Sequence, residues 1–210
     1  VTFIMNVGLW TTNMFFDLDR FAVFSFATSF MTLLMTAIYS IGSVFYNYLA
    51  KSGNVEKQNE LKRLLIIIGA AACITYIPLI KLIEVFIPKY SDASSVLLFY
   101  VMSLPYVLVN NLIVANIYKT DKREKKYAAH MLIVLGICFA MSFLGYRLLG
   151  TIRGIALAFY LAYFLWFLFS TERKNSAIKN DLRDKFVCFA NVATTAVLAN
   201  SNSLVSVLIS

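Results

Sequence analysis

Residues 21–50 read FAVFSFATSFMTLLMTAIYSIGSVFYNYLA, thirty positions without Asp, Glu, Lys or Arg. About 20 apolar residues wound as a helix cross the hydrocarbon core of a bilayer, so this stretch can span with tilt or run on into the interface. Inside it Ser25, Ser29, Thr32, Thr36, Ser40, Ser43 and Asn47 follow one another by 4, 3, 4, 4, 3 and 4 positions. That spacing is close to the helical repeat of 3.6, which gives the helix one polar face along its length. Two explanations fit. Small hydroxylated residues let helices pack closely and hydrogen-bond to one another; the same residues also suit the wall of a hydrated cavity, and the bulkier Asn47 and nearby Tyr39 tip the balance slightly that way.

Outward from this helix, the charge-free stretches set the organisation. Residues 1–16, 21–50, 64–80, 93–118, 127–146 and 154–171 predict six spans, the third extendable to residue 87 if Lys81 and Glu84 reach the headgroups. The last stretch, 186–210, is long enough to cross but rich in Asn, Ser and Thr; a seventh span, a re-entrant helix and a tail outside the fold all fit it. The organisation expected is therefore a six-span bundle over 1–171, a basic loop over 172–185 and an extra span or partial helix over 186–210. With 60% hydrophobic and only 14% charged residues, against about 25% charged in soluble domains, the composition argues against a water-soluble globule. A start at Val1 inside an apolar run, with no basic flank, reads as a piece of a longer product and not as a signal peptide.

The net charge of +8 falls between the hydrophobic runs, which points to membrane topology and away from nucleic acid. The loops after spans two, four and six carry fourteen Lys and Arg residues, including Lys51, Lys57, Lys62, Arg63, Lys119, Lys126, Arg173 and Lys185. Those after spans one, three and five carry five, namely Arg20, Lys81, Lys89, Arg147 and Arg153. Basic residues stay on the cytoplasmic side, so span one is expected to run outward.

Other polar residues are candidates of narrower kinds. Asn6, Trp10, Asn13, Asp17 and Arg20 are spaced 4, 3, 4 and 3, which places them on one face ending in an acid and a base. Asp17 and Asp19, and the only histidine, His130, are candidates for ion or proton coupling; a headgroup-level salt bridge and an interfacial histidine are the simpler explanations. Asn110 and Asn111 point about 100° apart on a helix, so one of them can face a cavity while the other bonds a neighbouring helix. Pro78 and Pro105 each remove one hydrogen bond inside a span, which membranes tolerate or hinges exploit. Cys73, Cys138 and Cys188 stand apart in apolar surroundings and read as packing residues. No catalytic constellation, metal-ligand spacing or phosphate loop is visible, so the expectation is a protein that is not an enzyme and uses no metal or cofactor.

A family resemblance emerges from the motifs in order. Phe24-Ser25-Phe26-Ala27-Thr28-Ser29 resembles the Tyr-Ser-x-Ala-Thr pattern in the second half of bacterial polysaccharide flippases of the multidrug/oligosaccharidyl-lipid/polysaccharide exporter superfamily. Asp17-Leu18-Asp19-Arg20 looks like that family's preceding acidic-Arg element, and Ile87-Pro88-Lys89-Tyr90 like its Pro-x-Tyr outer loop. Lys119 to Lys126 resembles its basic cytoplasmic turn, and Gly150-Thr151-Ile152-Arg153-Gly154-Ile155-Ala156-Leu157-Ala158 the Gly-x-x-Gly-Ala-Ala-x-Ala start of a late helix. The likeness covers residues 1 to about 170 and departs in two places: Arg20 runs almost directly into Phe24, and Arg153 stands where an apolar residue is usual.

The resemblance implies an all-α transmembrane bundle that is mainly the second lobe of a two-lobed transporter of at least twelve helices, with substrate between the lobes and alternating access by rocking. It implies a multi-pass protein of the bacterial inner membrane that flips polyisoprenyl-diphosphate-linked oligosaccharide for O-antigen or capsule. The implied partners are the missing N-terminal lobe, membrane lipid, and glycan polymerase and chain-length regulators. Carried onto this sequence, Arg20 would pair with an anionic sugar or the diphosphate, and Asn6, Asn13, Ser29, Thr32 and Thr36 would bond hydroxyls. A cation-coupled multidrug exporter of the same superfamily is the nearest rival, weakened because every Asp and Glu lies in a loop or near a helix end. A membrane-embedded polymerase or acyltransferase would ordinarily have larger outer loops, and a non-transporting scaffold would need the polar rows only as packing seams.

Overall fold

The computed structural model describes residues 2–52, 55–171 and 181–200; the expected features at Val1, 172–180 and 201–210, among them Arg173, Lys174 and Lys179, lie outside the described residues. Among the described residues all regular structure is helical. The order is α1 (Thr2–Phe15), α2 (Leu18–Ser52), α3 (Val55–Ala72), α4 (Tyr76–Phe86), α5 (Ser94–Met102), α6 (Leu104–Val109), α7 (Ala115–Thr120), α8 (Glu124–Leu149), α9 (Ile152–Thr171) and α10 (Leu182–Asn200). Four stretches are long and apolar enough to cross a membrane: Leu18–Ala50, Val55–Phe86, Glu124–Leu149 and Ile152–Ser170. A fifth is Pro88–Met102 with Leu104–Thr120, bent by 45°, if the pair counts as one span. Length and apolarity thus mark a helical membrane protein.

The two internal prolines locate the breaks. Pro78 sits in the first turn of α4, just after the 3₁₀ turn Cys73–Thr75 that separates it from α3. Pro105 sits in the first turn of α6, after the break at Ser103. A proline leaves the carbonyl four residues back without its helical donor. For Pro105 that carbonyl belongs to Val101, and the Cys73 thiol bonds it at 3.4 Å, so the two broken helices meet where each lost regularity.

From Val96 to Asn116 every residue is buried. A segment apolar on all sides belongs at the centre, and this one forms a bent central rod. Its polar residues fasten it to different neighbours. Tyr100 bonds the Thr28 hydroxyl of α2 at 3.1 Å. The Tyr106 hydroxyl donates to Asn191 of α10 at 2.9 Å. Asn110 donates to the Tyr163 carbonyl of α9 at 3.2 Å, and Asn116 to the Gly42 carbonyl of α2 at 3.2 Å. Such bonds hold helices together where lipid competes with every apolar contact.

Helices α8 and α9 form a hairpin around Gly150, whose φ of 61° caps α8 in the left-handed conformation. Gly145 and Gly154 then cross backbone to backbone: a Cβ on either would lie 2.3–2.4 Å from the carbonyl oxygen of the other. Of the two glycines of the late-helix motif, Gly150 therefore has a conformational reason and Gly154 a packing one.

Two expectations are corrected. The row Asn6, Trp10, Asn13, Asp17, Arg20 is not one helix face, because α1 ends at Phe15. Asp17 instead accepts the Arg20 backbone N–H at 2.9 Å and caps α2, which is what a carboxylate does at a helix N-terminus. Lys57, Lys62 and Arg63 are not loop residues, since α3 begins at Val55. Lys62 is 1% exposed and pairs with Asp184 of α10, 2% exposed, at 2.7 Å.

Candidate functional site

Three surfaces carry polar chemistry. The first is the row on α2. Phe24, Ala27, Thr28, Met31 and Met35 are buried and form the packed face of this helix. Ser29, Thr32, Thr36, Ser40 and Asn47 are exposed, roughly 120° around the helix from that face. Thr32, Thr36 and Ser40 donate to the carbonyls of Thr28, Thr32 and Thr36 at 2.8–2.9 Å. Their hydrogens point back into the helix and their lone pairs are turned outward, so the row offers acceptors to a hydroxylated ligand. The five exposed positions stand clear of the packed face, whereas Ser25, at the start of the row, is half-buried with its hydroxyl oxygen covered.

The second surface gathers three loops at one end of the bundle. Asp19, Arg20, Lys89, Tyr90, Asp92 and Arg153 line a cavity of about 660 Å³ there. Arg20 also lies 4.0 Å from Asp17 and 5.7 Å over the Phe16 ring. Tyr90 stacks on Phe26 with centroids 4.6 Å apart. The cation trio was visible in the sequence only as three separate loop charges.

The remaining sequence candidates are dispersed. Asn6 is half-buried and Asn13 exposed on α1, where Trp10, in the same row, stacks on Phe139 of α8 at 6.2 Å. His130 lies near the first turns of α8, its Nδ1 3.5 Å from the Tyr118 hydroxyl, at the basic end opposite Asp17 and Asp19. The three coupling candidates therefore do not form one site.

Sequence reading missed the third feature, an ionic and polar seam that seats α10. Asp184 accepts Lys62, lies 3.8 Å from the Arg63 Nε, and accepts the Asp181 N–H at 3.2 Å, while Arg63 also pairs with Asp181. Further along α10, the Asn191 side-chain amide oxygen Oδ1 accepts both the Tyr106 hydroxyl and, at 3.1 Å, the Tyr160 hydroxyl. Beside this seam an apolar cavity of about 430 Å³ opens between Tyr76, Ile77, Ile80, Met102, Val187 and Leu198. No family model matches the chain, and neither the curated proteins nor the solved structures contain a match to it.

Proposed function

We propose that this chain is one lobe of a transporter that flips lipid-linked oligosaccharide across the bacterial inner membrane by alternating access. The observation that carries the reading is the uncovered polar row of α2. Exposed apolar residues such as Leu132, Ile133, Phe139 and Leu144 on α8 suit lipid, whereas Asn47 and the outward lone pairs of the hydroxyl row meet no donors there and suit a water-filled cleft against a second lobe. In this reading Ser29, Thr32 and Thr36 bond sugar hydroxyls, Asn6 and Asn13 extend the lining, and Arg20, with Lys89 and Arg153, receives anionic sugar or diphosphate at the opposite mouth. The chain works without covalent catalysis, beside a glycan polymerase and its chain-length regulators. The chemistry of the row favours polyhydroxylated cargo over a lipophilic cation, because the row supplies hydrogen-bond acceptors and lacks a carboxylate.

The test is transport of a fluorescent lipid-linked oligosaccharide by the protein paired with the rest of its transporter. Thr32→Leu and Thr36→Leu should each lower the rate at least tenfold, while Leu33→Ala and Leu34→Ala lower it less than threefold. Equal losses at both kinds of position would remove α2 from the translocation path.

A further inference from the structure

We infer that the slot between α4 and α10 binds one bilayer phospholipid with an ethanolamine headgroup, which lays an acyl chain along it. The slot encloses about 430 Å³; its walls run from Ala70 to Ile80 on the broken span α3–α4 and from Val187 to Leu198 on α10. The two walls run in the same direction, since Lys62 meets Asp184 and, further along, Cys73 meets Asn191 at 3.7 Å. Each wall is therefore about 15 Å long at 1.5 Å per residue, half of the hydrocarbon core of about 30 Å. The turn Cys73–Thr75 stands near the centre of the charge-free stretch 64–80, so the slot reaches from the middle of the bilayer towards one of its faces.

Three observations select this ligand. The walls present hydrocarbon, because their polar groups are engaged elsewhere. The Tyr76 hydroxyl donates to the Ser94 carbonyl at 3.1 Å, Asn191 Oδ1 accepts two tyrosine hydroxyls, and the Thr194 hydroxyl donates to the Ala190 carbonyl at 2.8 Å. No Asp, Glu, Lys or Arg is among the lining residues, so an apolar chain suits the slot better than water or an ion. Next, the slot opens sideways. Its rim residues Ile74, Ile77 and Ala190 are exposed and continue into the exposed apolar face of α10 at Phe186, Phe189 and Val197, so a chain enters from the bilayer without passing a polar barrier. Last, charge beyond the slot follows the order of a headgroup. Lys81 and Glu84 succeed Ile77 by 4 and 3 positions, which places all three on one face of α4, and both charged residues are exposed.

Each group then has a task. The acyl chain lies along Ile77, Ile80 and Thr194 with its end near Cys73 and Val187, at the middle of the bilayer. The phosphate meets the Lys81 ammonium where the slot ends. Glu84 stands about 4.5 Å further out along the helix, where the primary ammonium of ethanolamine follows the phosphate and donates to its carboxylate. Phosphatidylglycerol brings no cation to Glu84, and the methylated nitrogen of choline has no N–H to donate. The site requires only that the chain is a membrane protein, and it stands whatever cargo the chain moves.

The experiment maps lipid contacts by photolabelling. The purified chain is placed in phosphatidylglycerol nanodiscs containing a trace of phosphatidylethanolamine whose acyl chain carries a diazirine at its middle, and the adducts are located by peptide mass spectrometry. Ile77 and Thr194 should carry at least tenfold more adduct than Leu132 and Ile133, which are exposed on α8 and meet only bulk lipid. Moving the diazirine to the chain end should shift the adducts to Cys73 and Val187. Unlabelled phosphatidylethanolamine should suppress the slot adducts at least threefold, and phosphatidylcholine should not. Ala190→Phe, which fills the slot from its rim, should lower them tenfold while the α8 adducts stay unchanged. Lys81→Gln and Glu84→Gln, both at exposed positions that leave the fold intact, should each lower them threefold or more. Adducts no denser in the slot than on α8 would overturn the site, as would an unchanged pattern in Ala190→Phe. Slot labelling indifferent to Lys81→Gln and Glu84→Gln, or suppressed equally by phosphatidylcholine, would overturn the ethanolamine headgroup.

Discussion

Asp184→Ala should cost about 3–5 kcal/mol of stability and release α10 from the bundle, the largest effect expected of any single substitution in this chain. Lys62 is 1% exposed and its ammonium lies 2.7 Å from the Asp184 carboxylate, itself 2% exposed. Once the carboxylate is gone, the buried ammonium has lost the counter-charge that lay 2.7 Å away, and that is a costlier state than either a solvated lysine or the intact pair. The substitution also strips the start of α10 of a cap, because Asp184 accepts the Asp181 N–H. Thermal unfolding in detergent measures the loss. Thiol labelling locates it: Cys188 on α10, and Cys73, whose sulfur lies 3.7 Å from the Asn191 amide nitrogen of α10, should become reactive when α10 lifts away, while Cys138 on α8 stays buried. The double variant Lys62→Met/Asp184→Leu removes both charges at similar volume and should recover most of the lost stability. Failure of the double variant to recover, with Cys188 still protected in the single one, would mean that the seam does not hold α10.

This pair also shows where sequence reading stops. Lys62 and Asp184 each looked like an ordinary charge near a helix end, and nothing local couples two residues so far apart in the chain. The class of the fold was legible because absence of charge over about 20 residues is a one-dimensional signal, whereas Pro78 and Pro105 left toleration and a hinge both open, since a proline removes one hydrogen bond of its own helix in either case. The row on α2 was likewise periodic, and Ser29, Thr32, Thr36, Ser40 and Asn47 of it are exposed together. Periodicity misled at Asp17, where the spacing from Asn13 continues across the end of α1 and the start of α2, which the capping bond marks. The clustering of Arg20, Lys89 and Arg153, and of Ile77, Met102 and Thr194, depends on how helices cross, which no short window of sequence encodes.

Gly154→Val should be the second most damaging change, at about 3 kcal/mol, the upper end of overpacking costs. A Cβ at Gly154 would stand 2.4 Å from the Gly145 carbonyl oxygen, and one at Gly145 would stand 2.3 Å from the Gly154 oxygen. The obstacle on each side is backbone, which cannot swing aside as a side chain does, so α8 and α9 must separate. Separation reaches the core directly, since Ile155, Ala156, Phe159 and Tyr163, all on α9, are among its most buried residues. Gly136→Ala, on the same α8, is the control: its Cβ meets nothing within 4 Å, and exchanging a mid-helix glycine for alanine should raise stability by about 0.5–1 kcal/mol. Opposite signs at two glycines of one hairpin separate crossing geometry from helix propensity, since propensity alone would stabilise Gly145→Ala as well. Melting curves of Gly154→Val, Gly145→Ala and Gly136→Ala decide it; a Gly145→Ala protein as stable as Gly136→Ala would mean that α8 and α9 do not touch backbone to backbone. Gly145 and Gly154 would then owe nothing to packing, and the resemblance of the Gly150–Ala158 segment to a transporter motif would be left to rest on function alone.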